Sequence, residues 1–147
     1  MMNKFLILLT GAWMLAAAPA SAENRRKIGF EELPAPAQHF VKGNFADERV
    51  THVWVEGRMI DRDYEVVFAD GSRVEFDKNG QWEEIGTKYG KIPASVLPQG
   101  IRTYLRQHYS DQPMRRVERD RKGYEVELGN GVELDFGLDG QLLKAGR

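Results

Sequence analysis

Tyr64-Glu-Val-Val-Phe-Ala-Asp-Gly-Ser-Arg-Val-Glu-Phe-Asp-Lys-Asn-Gly-Gln-Trp82 returns 60 residues later as Tyr124-Glu-Val-Glu-Leu-Gly-Asn-Gly-Val-Glu-Leu-Asp-Phe-Gly-Leu-Asp-Gly-Gln-Leu142. Seven of these 19 positions are identical. Within each copy, Tyr64, Val66 and Phe68, or Tyr124, Val126 and Leu128, alternate with other residues. Val74 and Phe76, and Leu134 and Phe136, continue the pattern. Period two with one apolar side predicts strands of a sheet covered on one face. Asp70-Gly71, Asn79-Gly80, Asn130-Gly131 and Asp139-Gly140 separate the runs. Asx-Gly supplies the positive φ of a tight hairpin turn.

Working outward, an earlier strand is predicted around Val50–Glu56 in the first copy and Met114–Arg119 in the second. A short last strand is predicted at Trp82–Ile85 and Leu142–Leu143. Upstream, Leu33-Pro34 and Leu97-Pro98 stand 64 residues apart and each opens a helical pattern. Leu33, Ala37, Phe40, Val41 and Phe45 fall at helical spacing, as do Leu97, Ile101, Tyr104, Leu105 and Tyr109. Proline is tolerated in a first turn, where its missing N–H has no partner to lose. Gly43 inside the first helix weakens it relative to alanine by roughly 1 kcal/mol. The expected fold is therefore α+β, with two tandem repeats of a helix plus four antiparallel strands and the helices on one sheet face. Residues 23–88 form the first repeat and 89–147 the second. The repeats are expected to fold as one cooperative unit.

The first 22 residues read as an address. Lys4 is a basic start, Phe5 to Ala18 an apolar stretch, and Ala20-Ser21-Ala22 a small-residue cleavage site. This is the order of a secretory signal peptide, cut between Ala22 and Glu23. The apolar stretch is short for a bilayer span, which takes about 20 residues. A periplasmic or secreted protein without stable membrane insertion is expected. The remaining chain carries 20 basic and 22 acidic residues, so nucleic acid is not an expected partner. Arg25-Arg26-Lys27 reads as a solvated tail.

The order Leu-Pro, helical aromatics, Tyr-x-Val, Asx-Gly, Phe, Asx-Gly-x-Trp/Leu resembles the PepSY-like domains described as beta-lactamase-inhibitor-like proteins. The resemblance spans both halves. It implies exported, non-enzymatic proteins whose helices pack on one face of an antiparallel sheet, and a protein-binding or inhibitory role. It brings no catalytic residues.

The residues themselves supply no catalytic signature. Cysteine is absent, and His39, His52 and His108 share no metal-binding spacing. His39 is expected on the polar side of the first helix. Glu75 to Gly80 has half the spacing of a calcium loop, but its twelfth position is Gly86 rather than a bidentate Glu. The stretch from Asp135 departs further, with Gly146 at twelve. Neither calcium nor any other cofactor is expected. Asp61 and Asp63 are placed in a loop. The basic run Arg115 to Lys122 reads as a solvated edge and hairpin tip.

What remains is the sheet face turned away from the helices. Alternation puts His52, Trp54, Arg73 and Glu75 there in the first repeat, beside Glu65 and Val67. Arg116, Glu118, Glu125 and Glu127 follow in the second, with Glu133 and Asp135. Eight of them, His52, Trp54, Arg73, Glu75, Arg116, Glu118, Glu125 and Glu127, are the candidate binding site for a protein partner in the cell envelope. Trp54 is its expected exposed anchor, since Trp and Arg dominate interface energetics. A periplasmic protein that binds a small molecule or cation is the alternative reading.

Overall fold

A computed structural model describes residues 24–147. The expected signal peptide and its cleavage site lie outside the described residues. The chain runs β1 (Arg25–Lys27), α1 (Ala35–Asn44), β2 (Val50–Glu56), β3 (Asp63–Phe68), β4 (Arg73–Phe76) and β5 (Trp82–Gly86). It continues with α2 (Gln99–His108), β6 (Met114–Arg119), β7 (Gly123–Leu128), β8 (Glu133–Gly137) and β9 (Leu142–Gly146). A 3-10 turn precedes each helix, at Phe30–Glu32 and Ala94–Val96. The nine strands form one antiparallel sheet in sequence order, so the fold is α+β with two helices on an open sheet. β5 and β6 join through Glu84↔Glu118, Ile85↔Val117 and Gly86↔Arg116, which makes the sheet continuous across the middle of the chain.

The Asx-Gly sites become four turns of one design. Gly71, Gly80, Gly131 and Gly140 have φ of 86°, 81°, 86° and 85°. Each donates its N–H to the carbonyl three residues back, at Phe68, Asp77, Leu128 and Gly137. Among the described residues, no non-glycine residue has positive φ. The hairpins are therefore a type I turn closed by a left-handed glycine rather than a mirror-image two-residue turn. The Asx side chains serve the turns. Asp70, Asn130 and Asp139 each accept one backbone N–H, and Asp77 accepts two, from Asn79 and Gln81.

The second turn of each half seats a helix. A Cβ on Gly80 would stand 2.8 Å from the Pro34 Cβ, at the start of α1. Gly140 lies likewise against Gly100 and Ile101 in α2. Ala37, Val41 and Ile101 pack with Val66, Phe76, Val126 and Phe136 in a single core. Phe40 meets Phe76 edge-on at 5.7 Å, and Tyr104 meets Phe136 edge-on at 5.5 Å. Burying such aromatics stabilises by roughly 1.5–3 kcal/mol each.

Three expectations are corrected. Arg25-Arg26-Lys27 is not a solvated tail but β1, paired with β2 from Arg25↔Glu56 to Lys27↔Trp54. Its strand order has no apolar alternation to reveal it; pairing with β2 and the contacts of Arg25 hold it. The basic run from Arg115 is not an edge, because β5 covers that side of β6. Asp63 is not in a loop; it begins β3 opposite Glu56.

Candidate functional site: a row of carboxylates across the sheet

One line of paired positions crosses all nine strands on the face away from the helices. It reads Lys27, Trp54, Glu65, Glu75, Glu84, Glu118, Glu125, Asp135, Lys144, each directly opposite the next. Six successive strands thus present six carboxylates in register. Neighbouring strands lie only about 4.8 Å apart. Like charges directly opposite one another are destabilising in a sheet. The row therefore needs positive charge or bound protons to offset the repulsion.

A parallel row supplies part of the compensation. His52, Val67, Arg73, Gly86, Arg116, Glu127, Glu133 and Gly146 pair in turn. Gly86 stands between Arg73 and Arg116 in this row. The Arg116 guanidinium reaches across to the acidic row. Its Nε donates to Glu84 Oε1 at 2.7 Å, and its second nitrogen donates to Glu118. All three side chains are buried. At the β1 end, Arg25 donates to Glu65 at 2.6 Å, and Arg73 lies 3.8 Å from the same carboxylate.

On either side of the Arg116 pairs, the carboxyls of Glu75 and Glu125 are raised. Burial, then the neighbouring Glu84 and Glu65, push the Glu75 carboxyl up to about 8. Burial, then Asp135 and Glu133, push Glu125 up to about 7, against the pull of Arg116. Burial also raises Asp135, although Lys144 opposes it. At the rim of the same face, burial together with Asp61 and Glu56 raises Asp63. Near neutral pH the row holds protons that ordinary carboxyls release.

All eight expected site residues lie on this face, in two adjacent rows. Their surroundings differ from expectation. His52 is exposed, while Arg73, Glu75 and Glu127 are half-buried. Arg116, Glu118 and Glu125 are buried rather than solvated, because β5 and β7 flank them closely. Trp54 faces outward but is not bare. The Arg25 guanidinium lies 4.5 Å over its ring, and the His52 ring stacks parallel at 5.8 Å. Arg25, Glu65, Glu75 and Glu83 join Trp54 around a hollow of about 90 Å³. Glu84 was missed by alternation. A bulge between Glu75 and Phe76 pairs Phe76 with Trp82, so Trp82 and Ile85 both face the core with Glu83 and Glu84 between them. An apolar, polar, polar, apolar order at a strand start was the available signal. His39, on α1, is exposed as expected.

Residues 62–144 match the family described as "Putative beta-lactamase-inhibitor-like, PepSY-like". The chain belongs to this family. A solved structure from Bacteroides thetaiotaomicron, described as a "putative calcium-regulated periplasmic protein", is 36% identical, with a TM-score of 0.79 over 86% of this chain and 99% of its own. A solved structure from Bacteroides vulgatus, described as a "putative periplasmic protein", is 36% identical, with a TM-score of 0.76 over 86% and 99%. A second one from that organism, of unknown function, is 32% identical, with a TM-score of 0.74 over 84% and 99%. No curated protein matches the chain. Among the described residues, no helix is long and apolar enough to cross a membrane, and no group of three or more His, Asp or Glu is placed to hold a metal ion.

Proposed function

We propose that this PepSY-like chain is an exported, non-enzymatic binding module that engages a protein partner through its open sheet face. The partner presents positive charge there, and the role is inhibitor-like or regulatory. The matched halves are a duplicated helix-plus-four-strand unit, residues 23–88 and 89–147, fused edge to edge so that two short acidic faces become one long one. Cleavage between Ala22 and Glu23 delivers it to the periplasm or beyond. The periplasmic descriptions of its relatives support that location.

The carboxylate row carries this reading. Burial first, and then the neighbouring carboxylates, hold protons on Glu75 and Glu125 in the free protein, and a basic side chain docked there favours their charged forms. Binding therefore releases protons near neutral pH, and strengthens as pH rises toward 8. Trp54, flanked by His52 and Arg25, offers an aromatic anchor at one end of the row. The calcium-regulated description of one relative favours a second reading, in which a divalent cation is the ligand of the same row.

Calorimetric titration with a decalysine peptide tests the first reading. Expected are binding at pH 8 that weakens with salt, proton release, and affinity about 10-fold lower in Glu75→Gln/Glu125→Gln. Absence of binding at low salt refutes a cationic partner. Calcium titrated into the same protein tests the second; a melting rise abolished by the same two substitutions supports it.

A further inference from the structure

A groove of about 620 Å³ opens on the helix side, away from the carboxylate row. It lies between α2, the segment before the Ala94–Val96 turn, and the approach to β6. Leu105, Tyr109, Ile92 and Met114 give it an apolar floor. Lys91, Arg102 and Arg106 stand around it, exposed. Their side chains enter none of the ion pairs of the described residues.

The first half of the chain shows what the groove lacks. Lys27-Ile28 and Lys91-Ile92 are the same dipeptide 64 residues apart. Three residues after each lysine a 3-10 turn begins, at Phe30 and at Ala94. Both turns close identically, with the Leu33 N–H donating to Phe30 and the Leu97 N–H donating to Ala94. Phe30 packs on the core, and the Lys42 ammonium sits 5.8 Å over its ring. At the matching places the second half has Ala94 and Arg106. The cation is kept and the ring beneath it is gone.

We propose that this groove binds a small apolar carboxylate, such as an arylalkanoic acid. Its hydrophobic part takes the space that Phe30 fills in the first half, and its carboxylate pairs with Arg106 and Arg102. The size suits a ligand site, which typically encloses about 300–1,000 Å³. Three unpaired cations against the single carboxylate of Asp111 favour an anion. Arginine offers a carboxylate a two-pronged hydrogen bond. The site is independent of the sheet face and of any protein partner there.

Titration of 4-phenylbutyrate into 15N-labelled protein tests the site. Expected are amide shifts at Ala94, Leu105, Arg106 and Ser110, with the sheet-face amides of Glu75 and Glu125 unmoved. Arg102→Ala/Arg106→Ala should weaken binding about 10-fold, as should replacing the probe by 4-phenylbutanol. Ala94→Phe, which rebuilds the arrangement of the first half, should abolish binding; its fold is checked by the unaltered spectrum of β1–β5. No shifts at millimolar probe, equal affinity for the alcohol, or unchanged binding in the double arginine variant overturns the proposal. Shifts confined to the sheet face overturn it as well.

Discussion

Arg116→Met should be among the most damaging single substitutions outside the core. Arg116 is 7% exposed, and its guanidinium binds Glu84 and Glu118, themselves 3% and 4% exposed. Methionine keeps much of the length and loses the charge. Two charge-assisted hydrogen bonds disappear, each worth roughly 1.5–3 kcal/mol. Glu84 and Glu118 then face each other across paired strands with their shared cation gone, and Glu75 and Glu125 stand on either side. Breaking a buried pair from one side typically costs about 3–5 kcal/mol, and that is the loss expected at pH 8. Acid neutralises the stranded carboxylates, so the deficit should narrow as pH falls to 5. Urea unfolding followed by tryptophan fluorescence measures it, since urea leaves charge interactions unscreened. Trp82 reports well, being buried under the Arg119 guanidinium at 4.6 Å. Adding Glu84→Gln and Glu118→Gln should recover most of the loss. A deficit below about 1 kcal/mol at pH 8, or one independent of pH, would refute the view that Arg116 neutralises the row.

Four further outcomes are expected. Glu75 and Glu125 carry folded-state values of about 8 and 7, above their ordinary 4.5, so the native state binds more protons than the unfolded chain between those limits. Their contribution is full below about pH 4.5 and is lost as pH rises through 7 to 8, so urea midpoints should climb on acidification from pH 9 to 5, and Glu75→Gln should flatten that slope. Phe76→Ala removes a fully buried ring that meets Phe40 edge-on, and should cost roughly 3–5 kcal/mol in the same assay. Gly43→Ala places a methyl in open space on α1 and should stabilise by about 0.4–1 kcal/mol, with a higher melting temperature as the check. Residues 23–88 and 91–147 expressed separately should be poorly folded, since β5 and β6 lose each other; two dispersed, independently melting spectra would contradict this.

Period-two alternation and Asx-Gly spacing are local, and what they determine was legible. β2 and β6 begin and end where the sequence placed them, and all four glycines take the positive φ that their turns require. Which residues face away from the helices follows from the same alternation, so all eight candidate site residues lie on one face. That α1 and α2 share the opposite side follows from matching apolar spacing on helix and strand.

Register across strands is not local, and tertiary structure decided what depended on it. The bulge at Glu75/Phe76 sets Glu84 beside Glu75, and the β5–β6 joint sets Glu118 beside Glu84. Those two pairings, one a shift inside a hairpin and one between distant strands, turn scattered glutamates into an unbroken row. They also enclose Arg116 between two strands and so bury it, where the sequence alone suggested a solvated cation. β1 has the same origin: Arg-Arg-Lys has no periodicity, and it becomes a strand because β2 offers a free edge while Trp54 and Glu65 offer Arg25 a ring and a carboxylate. Alternation is a property of each backbone by itself, whereas pairing and burial are properties of what lies opposite, which a sequence read one strand at a time does not contain.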